Sequence, residues 1–191
     1  VVVTSDHGHS VGDHNRAGKT NISSGEDSNY WPLYPEVNRV PFILAGAGVP
    51  PGKSLDIIGQ PIDILPTICE LADVDVDAPE PIEGKSFAPI VKTGTGEHRE
   101  FAVSATCMNV SDGVGDRATT PAVVTKDWAY YPVGQKGDPE LYSIKEDPHA
   151  KNNVAADNKS VLSEMHDRLI RQLEEHHADQ SLIDGWKRVR K

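Results

Sequence analysis

The sequence predicts an α/β fold followed by a small antiparallel β-sheet subdomain with a C-terminal helix. Three observations carry this. Val1, Val2 and Val3 form an uninterrupted β-branched run ended by polar residues, the pattern of a strand buried on both faces inside a parallel sheet. A second β run at residues 38–46 and an apolar stripe of helical period at residues 64–72 follow it. The second half changes to short strands bounded by turn residues and then a periodic helical stretch, residues 159–177. Two parts are expected, residues 1–100 and residues 101–191.

The opening strand stops at Asp6 and His7, and Asp6, His7, His9, Asp13 and His14 crowd into the next few positions. In open α/β sheets ligands gather at the carboxyl ends of strands, which makes Asp6 and His7 candidate metal ligands. Gly8 lets the backbone turn away from them. Residues 20–38 read as a polar loop, and the cluster Tyr30, Trp31, Pro32, Leu33, Tyr34, Pro35 reads as its anchor in preference to a pocket lining. In the run 38–46, Pro41 lies near the start, where a missing donor is tolerated. Asp63 is the expected N-cap of the helix at 64–72, with Pro66 in the first turn and Ile64, Leu65, Ile68 and Leu71 on one face.

After an acidic linker at 73–81, a strand is expected at 101–106. Residues 122–126 and 128–132 form a hairpin about Lys126 and Asp127, and Leu141, Tyr142, Ser143 and Ile144 add a strand. In the last helix Leu162, Met165, Leu169 and Leu173 mark the buried face, while Glu164 and Arg168 are placed for a surface pair. The basic tail from Trp186 is expected to be solvated.

Composition narrows the function. The 191 residues are 37% hydrophobic and 25% charged, ordinary for a globular chain. No apolar run approaches the roughly 20 residues of a membrane span, so no membrane partner is expected. A net charge of −10 argues against nucleic acid as a partner, because phosphate neutralisation needs a basic surface. Cys69 and Cys107 lack a metal or redox spacing.

The blocks Thr4-Ser5-Asp6-His7-Gly8, Gly12-Asp13-His14 and Gly18-Lys19 resemble the second metal-binding block of the sulfatases, in the alkaline phosphatase superfamily. Arg39-Val40-Pro41, the Asp63-Ile64-Leu65-Pro66-Thr67 segment, and Glu140-Leu141-Tyr142-Ser143-Ile144 with Asp147-Pro148 resemble later sulfatase segments. The resemblance implies the C-terminal part of an α/β/α sandwich plus the small sheet. It further implies that Asp6 and His7 ligate a divalent cation, usually Ca2+, and that Lys19 contacts the sulfate. His9 is placed near the substrate entrance and His14 in a supporting role. The family's nucleophile, a formylglycine made from Cys or Ser, falls in a signature that neither Cys69 nor Cys107 fits. The chain is therefore read as a C-terminal piece, inactive alone, whose partners are the N-terminal part of the same protein and a small-molecule or carbohydrate sulfate ester.

Asp6 is a natural calcium ligand, whereas the nitrogen of His7 also suits Mn2+ or Zn2+. The Asp-His form of the pair is shared with phosphonate monoester and phosphodiester hydrolases of the superfamily, which stand as the nearest alternative. A metal- or anion-binding module without catalysis is the other.

Overall fold

The computed structural model describes residues 1–18, 20–21, 30–46, 48–75, 81–105, 108, 110–111, 114–115 and 120–189. In chain order the first half contains β1 (Val2–Thr4), β2 (Ser10–Val11), β3 (Arg16–Gly18), β4 (Thr20–Asn21), α1 (Pro35–Asn38), β5 (Phe42–Leu44), α2 (Ile64–Ala72) and α3 (Ala88–Thr93). The second half contains β6 (Ala102–Ser104), β7 (Val110–Ser111), β8 (Val114–Gly115), β9 (Ala122–Val124), β10 (Trp128–Tyr131), β11 (Glu140–Ser143), α4 (Lys159–Glu175) and α5 (Gln180–Val189). The chain forms two compact units, one of Val1–Asp6 with Pro41–Ala102, the other of His7–Val40 with Val103–Lys191. No described helix is long and apolar enough to cross a membrane.

In the first unit β1 pairs with β5, and the pairing corrects the parallel, doubly buried strand expected at residues 1–3. The strands run antiparallel, with Val2 opposite Leu44, Val3 opposite Ile43 and Thr4 opposite Phe42. Val1 is 86% and Val3 51% exposed. A run of three valines records β propensity and apolar surface but not strand direction, which is why the sequence misread it. The core of this unit is Phe87, Ile90 and Val91, against which Leu44, Val49, Leu55, Ile57 and Leu71 pack.

Helix α2 has the expected span, and Asp63 stands at its N-cap position but makes no side-chain capping bond to α2. Asp63 has helical φ/ψ and closes a 3-10 turn, Pro61–Asp63, that leads into the helix. Its carboxylate instead accepts the backbone N–H groups of Gln60 (2.9 Å) and Lys85 (2.8 Å), the Arg99 Nε–H (2.7 Å) and Nη2–H, and the His98 Nε2 (3.1 Å). On α2, Leu65 and Ile68 are exposed while Thr67 is buried, so the expected stripe is only partly the buried face. Thr67 Oγ1 donates to the Asp63 carbonyl (2.6 Å) and accepts from the Phe87 N–H (3.1 Å). That pair of bonds satisfies the buried hydroxyl and ties α2 to the start of α3.

The second unit holds the small antiparallel sheet that the sequence predicts, in the order β11-β10-β9-β6. Ala129 lies opposite Val124 and Tyr142, and Tyr130 opposite Val123 and Leu141. One face buries Ala122, Ala129, Tyr131 and Tyr142 together with Tyr34 and Ala150. Among these, the Tyr131 hydroxyl is buried with no hydrogen-bond partner among the described residues. Helix α4 lies against β9 and β10 and buries Met165, His166, Leu169, Ile170 and Leu173. The Glu164–Arg168 pair forms at 2.8 Å.

The solvated basic tail is corrected. Residues 180–189 are helix α5, and Trp186 is fully buried. Its indole N–H donates to the Met108 carbonyl (3.0 Å), and its own carbonyl accepts from His166 Nε2 (3.0 Å). Ile183 and Trp186, three apart, supply the buried face. The density of charge after Trp186 hid that short apolar pair.

Candidate functional site

The candidate metal ligands lie on the turn that follows β1. Asp6 is exposed, and Ser5 Oγ donates to its Oδ1 at 3.3 Å. His7 is half-buried, with Nδ1 2.7 Å from the Gly8 carbonyl oxygen. A carbonyl only accepts, so Nδ1 carries a proton, and in the neutral ring the lone pair is on Nε2. A ring N–H bonded to a backbone carbonyl in this way is an arrangement also used by metal-ligating histidines.

Gly8 is required by close approach. Its N–H donates to the Val37 carbonyl at 2.7 Å, and a Cβ there would lie 2.0 Å from the Glu36 carbonyl oxygen. His9 is exposed and lies against Gly18, whose Cβ position is 3.0 Å from His9 Nε2. The β2–β3 register sets Ser10 opposite Gly18 and Val11 opposite Ala17. Lys19, the candidate sulfate contact, lies outside the described residues, as do Cys107 and the polar loop at 22–29.

His14 is held on three sides. Its ring stacks on Tyr34 at 3.7 Å and 9°. Nδ1 meets Glu36 Oε1 at 2.7 Å and Nε2 meets the Ala150 carbonyl at 2.7 Å. Both partners accept, so both nitrogens donate and the ring is an imidazolium. Burial lowers the His14 pKa, but the Glu36 hydrogen bond, the Ala150 carbonyl and the charges of Glu36 and Glu140 outweigh it, and the net shift is upward. Burial raises Glu36, the His14 bond outweighs that, and its net shift is downward. The two agree on a charged pair.

Arg16 anchors the aromatic segment. It is 2% exposed, its guanidinium is 4.4 Å from the Trp31 ring centre and 5.4 Å from that of Tyr34, and it donates to the carbonyls of Pro32 (3.0 Å) and Tyr30 (2.7 Å). Glu140 accepts the hydroxyls of Tyr34 (2.6 Å) and Tyr142 (3.0 Å) and the Gln135 N–H (2.9 Å).

The carboxylate of Asp6 and the imidazole of His7 are a partial ligand set of the right chemistry for a divalent cation. Among the described residues, no group of three or more His, Cys, Asp or Glu side chains is placed to hold a metal ion. The sequence reading missed Glu36, whose only signal was an acid following Tyr34-Pro35.

Residues 29–179 match the family profile "N-sulphoglucosamine sulphohydrolase, C-terminal". The chain belongs to this sulfatase family. It is 31% identical over 175 residues to the Delta 4,5-hexuronate-2-O-sulfatase of Bacteroides thetaiotaomicron, covering 86% of this chain and 32% of that protein. Arylsulfatase K of Xenopus laevis is 25% identical over 174 residues, covering 88% of the chain and 30% of that protein. The solved structure of a 2-O GAG sulfatase superposes with a TM-score of 0.69 at 29% identity, covering 95% of the chain and 39% of that structure. The chain thus spans about a third of the length of these sulfatases and matches their C-terminal part.

Proposed function

We propose that the chain supplies part of the divalent-cation site of a sulfatase that hydrolyses a sulfate ester on a sugar. The observation that carries this is the Asp6–His7 pair on the turn after β1, with His7 Nδ1 committed to the Gly8 carbonyl. In this reading Asp6 and His7 Nε2 hold the cation, with Ca2+ favoured by the family and Mn2+ or Zn2+ compatible with the imidazole. The cation, when bound, polarises the ester oxygens as a Lewis acid. Lys19 contacts the sulfate as a point charge. His9, held against the glycine that precedes Lys19, belongs to the same side of the substrate. The nucleophile is a formylglycine outside these 191 residues. The name of the 31% identical relative supports a 2-O-sulfated uronate as substrate class.

The test is hydrolysis of 4-nitrophenyl sulfate and of a 2-O-sulfated unsaturated disaccharide by the full gene product, with and without chelator. Asp6→Ala and chelation are each expected to lower kcat/KM by about a thousandfold or more, the loss of a Lewis-acid contribution of several kcal/mol. Faster turnover of a phosphonate monoester than of any sulfate would favour the phosphonate hydrolase reading instead. Turnover of aryl sulfate by the 191-residue chain alone would refute an outside nucleophile.

A further inference from the structure

Helix α1 is a single turn, yet it holds the loop that begins at His7 in three places. The Val37 carbonyl accepts the Gly8 N–H (2.7 Å), and Glu36 Oε1 accepts both Ser10 Oγ (3.4 Å) and His14 Nδ1 (2.7 Å). At the far side of the same ring, the Ala150 carbonyl accepts His14 Nε2. Between these fixed points the backbone takes conformations that side chains disfavour, with φ of 53° at His14 and 57° at Asn15. Such a loop keeps its shape only while its surroundings over-determine it.

From this we infer that Glu36 is a positioning residue for His7. This rests on the metal-site reading above. The path is short and physical. His7 Nδ1 is oriented by the Gly8 carbonyl, the Gly8 N–H is clamped to α1, and the rest of the loop is clamped to the same helix through the Glu36 carboxylate. Removing the carboxylate leaves His14, an imidazolium stacked on Tyr34, without its anion. The loop then loses two of its three attachments to α1, and the Gly8–Val37 bond alone is left to hold the turn that orients His7.

The experiment compares the full gene product with its Glu36→Ala, Glu36→Gln and Asp6→Ala variants, using Mn2+ as the probe. Free Mn2+ is read by electron paramagnetic resonance, and the His7 ring nitrogens are read by long-range 1H–15N NMR of the metal-free protein. Glu36→Ala is expected to weaken Mn2+ binding by at least about tenfold, the effect typical of groups that orient metal ligands, and to move the His7 nitrogen shifts. Glu36→Gln keeps an acceptor for His14 and Ser10 and is expected to recover part of the affinity. That recovery is what a merely structural role would not produce in a metal titration, and Glu36→Gln decides the matter if Glu36→Ala does not fold. Mn2+ affinity within twofold of wild type in the Glu36 variants, with Asp6→Ala abolishing binding, overturns the positioning role and leaves the metal site standing. Unchanged Mn2+ binding in Asp6→Ala overturns the metal site itself, and the positioning role with it.

Discussion

Asp63 in the first unit and Glu36 in the second each meet a histidine, but their surroundings differ in kind. Asp63 has no exposed side-chain surface and collects two backbone N–H groups, the guanidinium of Arg99 and the ring of His98. The donors come from three stretches of chain, so the carboxylate ties residues 60, 85, 98 and 99 into one knot. The Glu36 carboxylate accepts from Ser10 and His14, which belong to one loop with left-handed residues in it. A saturated acid of the first kind secures a scaffold, whereas one of the second kind sets the conformation of a single loop.

The largest effect expected is from Asp63→Ala. It leaves the Arg99 guanidinium, 8% exposed, and two backbone donors without their acceptor. Breaking a buried pair in this way costs about 3–5 kcal/mol, to be read by chemical denaturation. A loss below about 1 kcal/mol would show that Asp63 is not the knot of its unit. Gly8→Ala comes next. Its methyl would meet the Glu36 carbonyl at 2.0 Å, backbone against backbone, and overpacking of this sort costs about 1–3 kcal/mol. Hydrogen exchange should show the opening confined to residues 8–18 and α1, with the Asp63 region unaffected.

Acidity separates the two clusters by sign. Burial raises the Asp63 pKa, but Arg99, the Lys85 and Gln60 amides and His98 outweigh it and bring it from 3.8 to about 2. A depressed carboxylate stabilises fully above its unfolded value, so about 2 kcal/mol is present above pH 4 and is lost as pH falls toward 2. His14 is shifted upward, so its contribution is complete below 6.5 and is lost as pH rises through its raised value. Stability profiles of Asp63→Asn and His14→Gln should therefore depart from wild type at opposite ends of the pH scale. The smallest effect is Glu164→Gln, about 0.3–0.5 kcal/mol by thermal denaturation, because the pair is an exposed i,i+4 contact.

How far the sequence could be read follows from the range of the interactions. Helix α2 and the β9–β10–β11 meander were legible because local period and turn chemistry decide them. Asp63 was found at the right place with the wrong role, since its partners at 85, 98 and 99 are invisible to a local capping rule. Trp186 was misjudged because burial depends on Met108 and His166, far away along the chain. In the candidate site, Asp6 and His7 were picked out by their chemistry, their place after a β run and the motif around them. Glu36 did not, because only folding brings residues 10, 14 and 36 together.

The phenols of the second unit carry a spectroscopic consequence. Burial and the negative charge of Glu140 raise the pKa of Tyr34 and Tyr142, and burial raises that of Tyr131, each above the ordinary tyrosine value. In an alkaline titration these three rings stay neutral while the fold persists, and their phenolate band at the red edge of the ultraviolet spectrum grows only as it comes apart. The protein therefore carries an internal optical gauge of its own alkaline unfolding, with no label required.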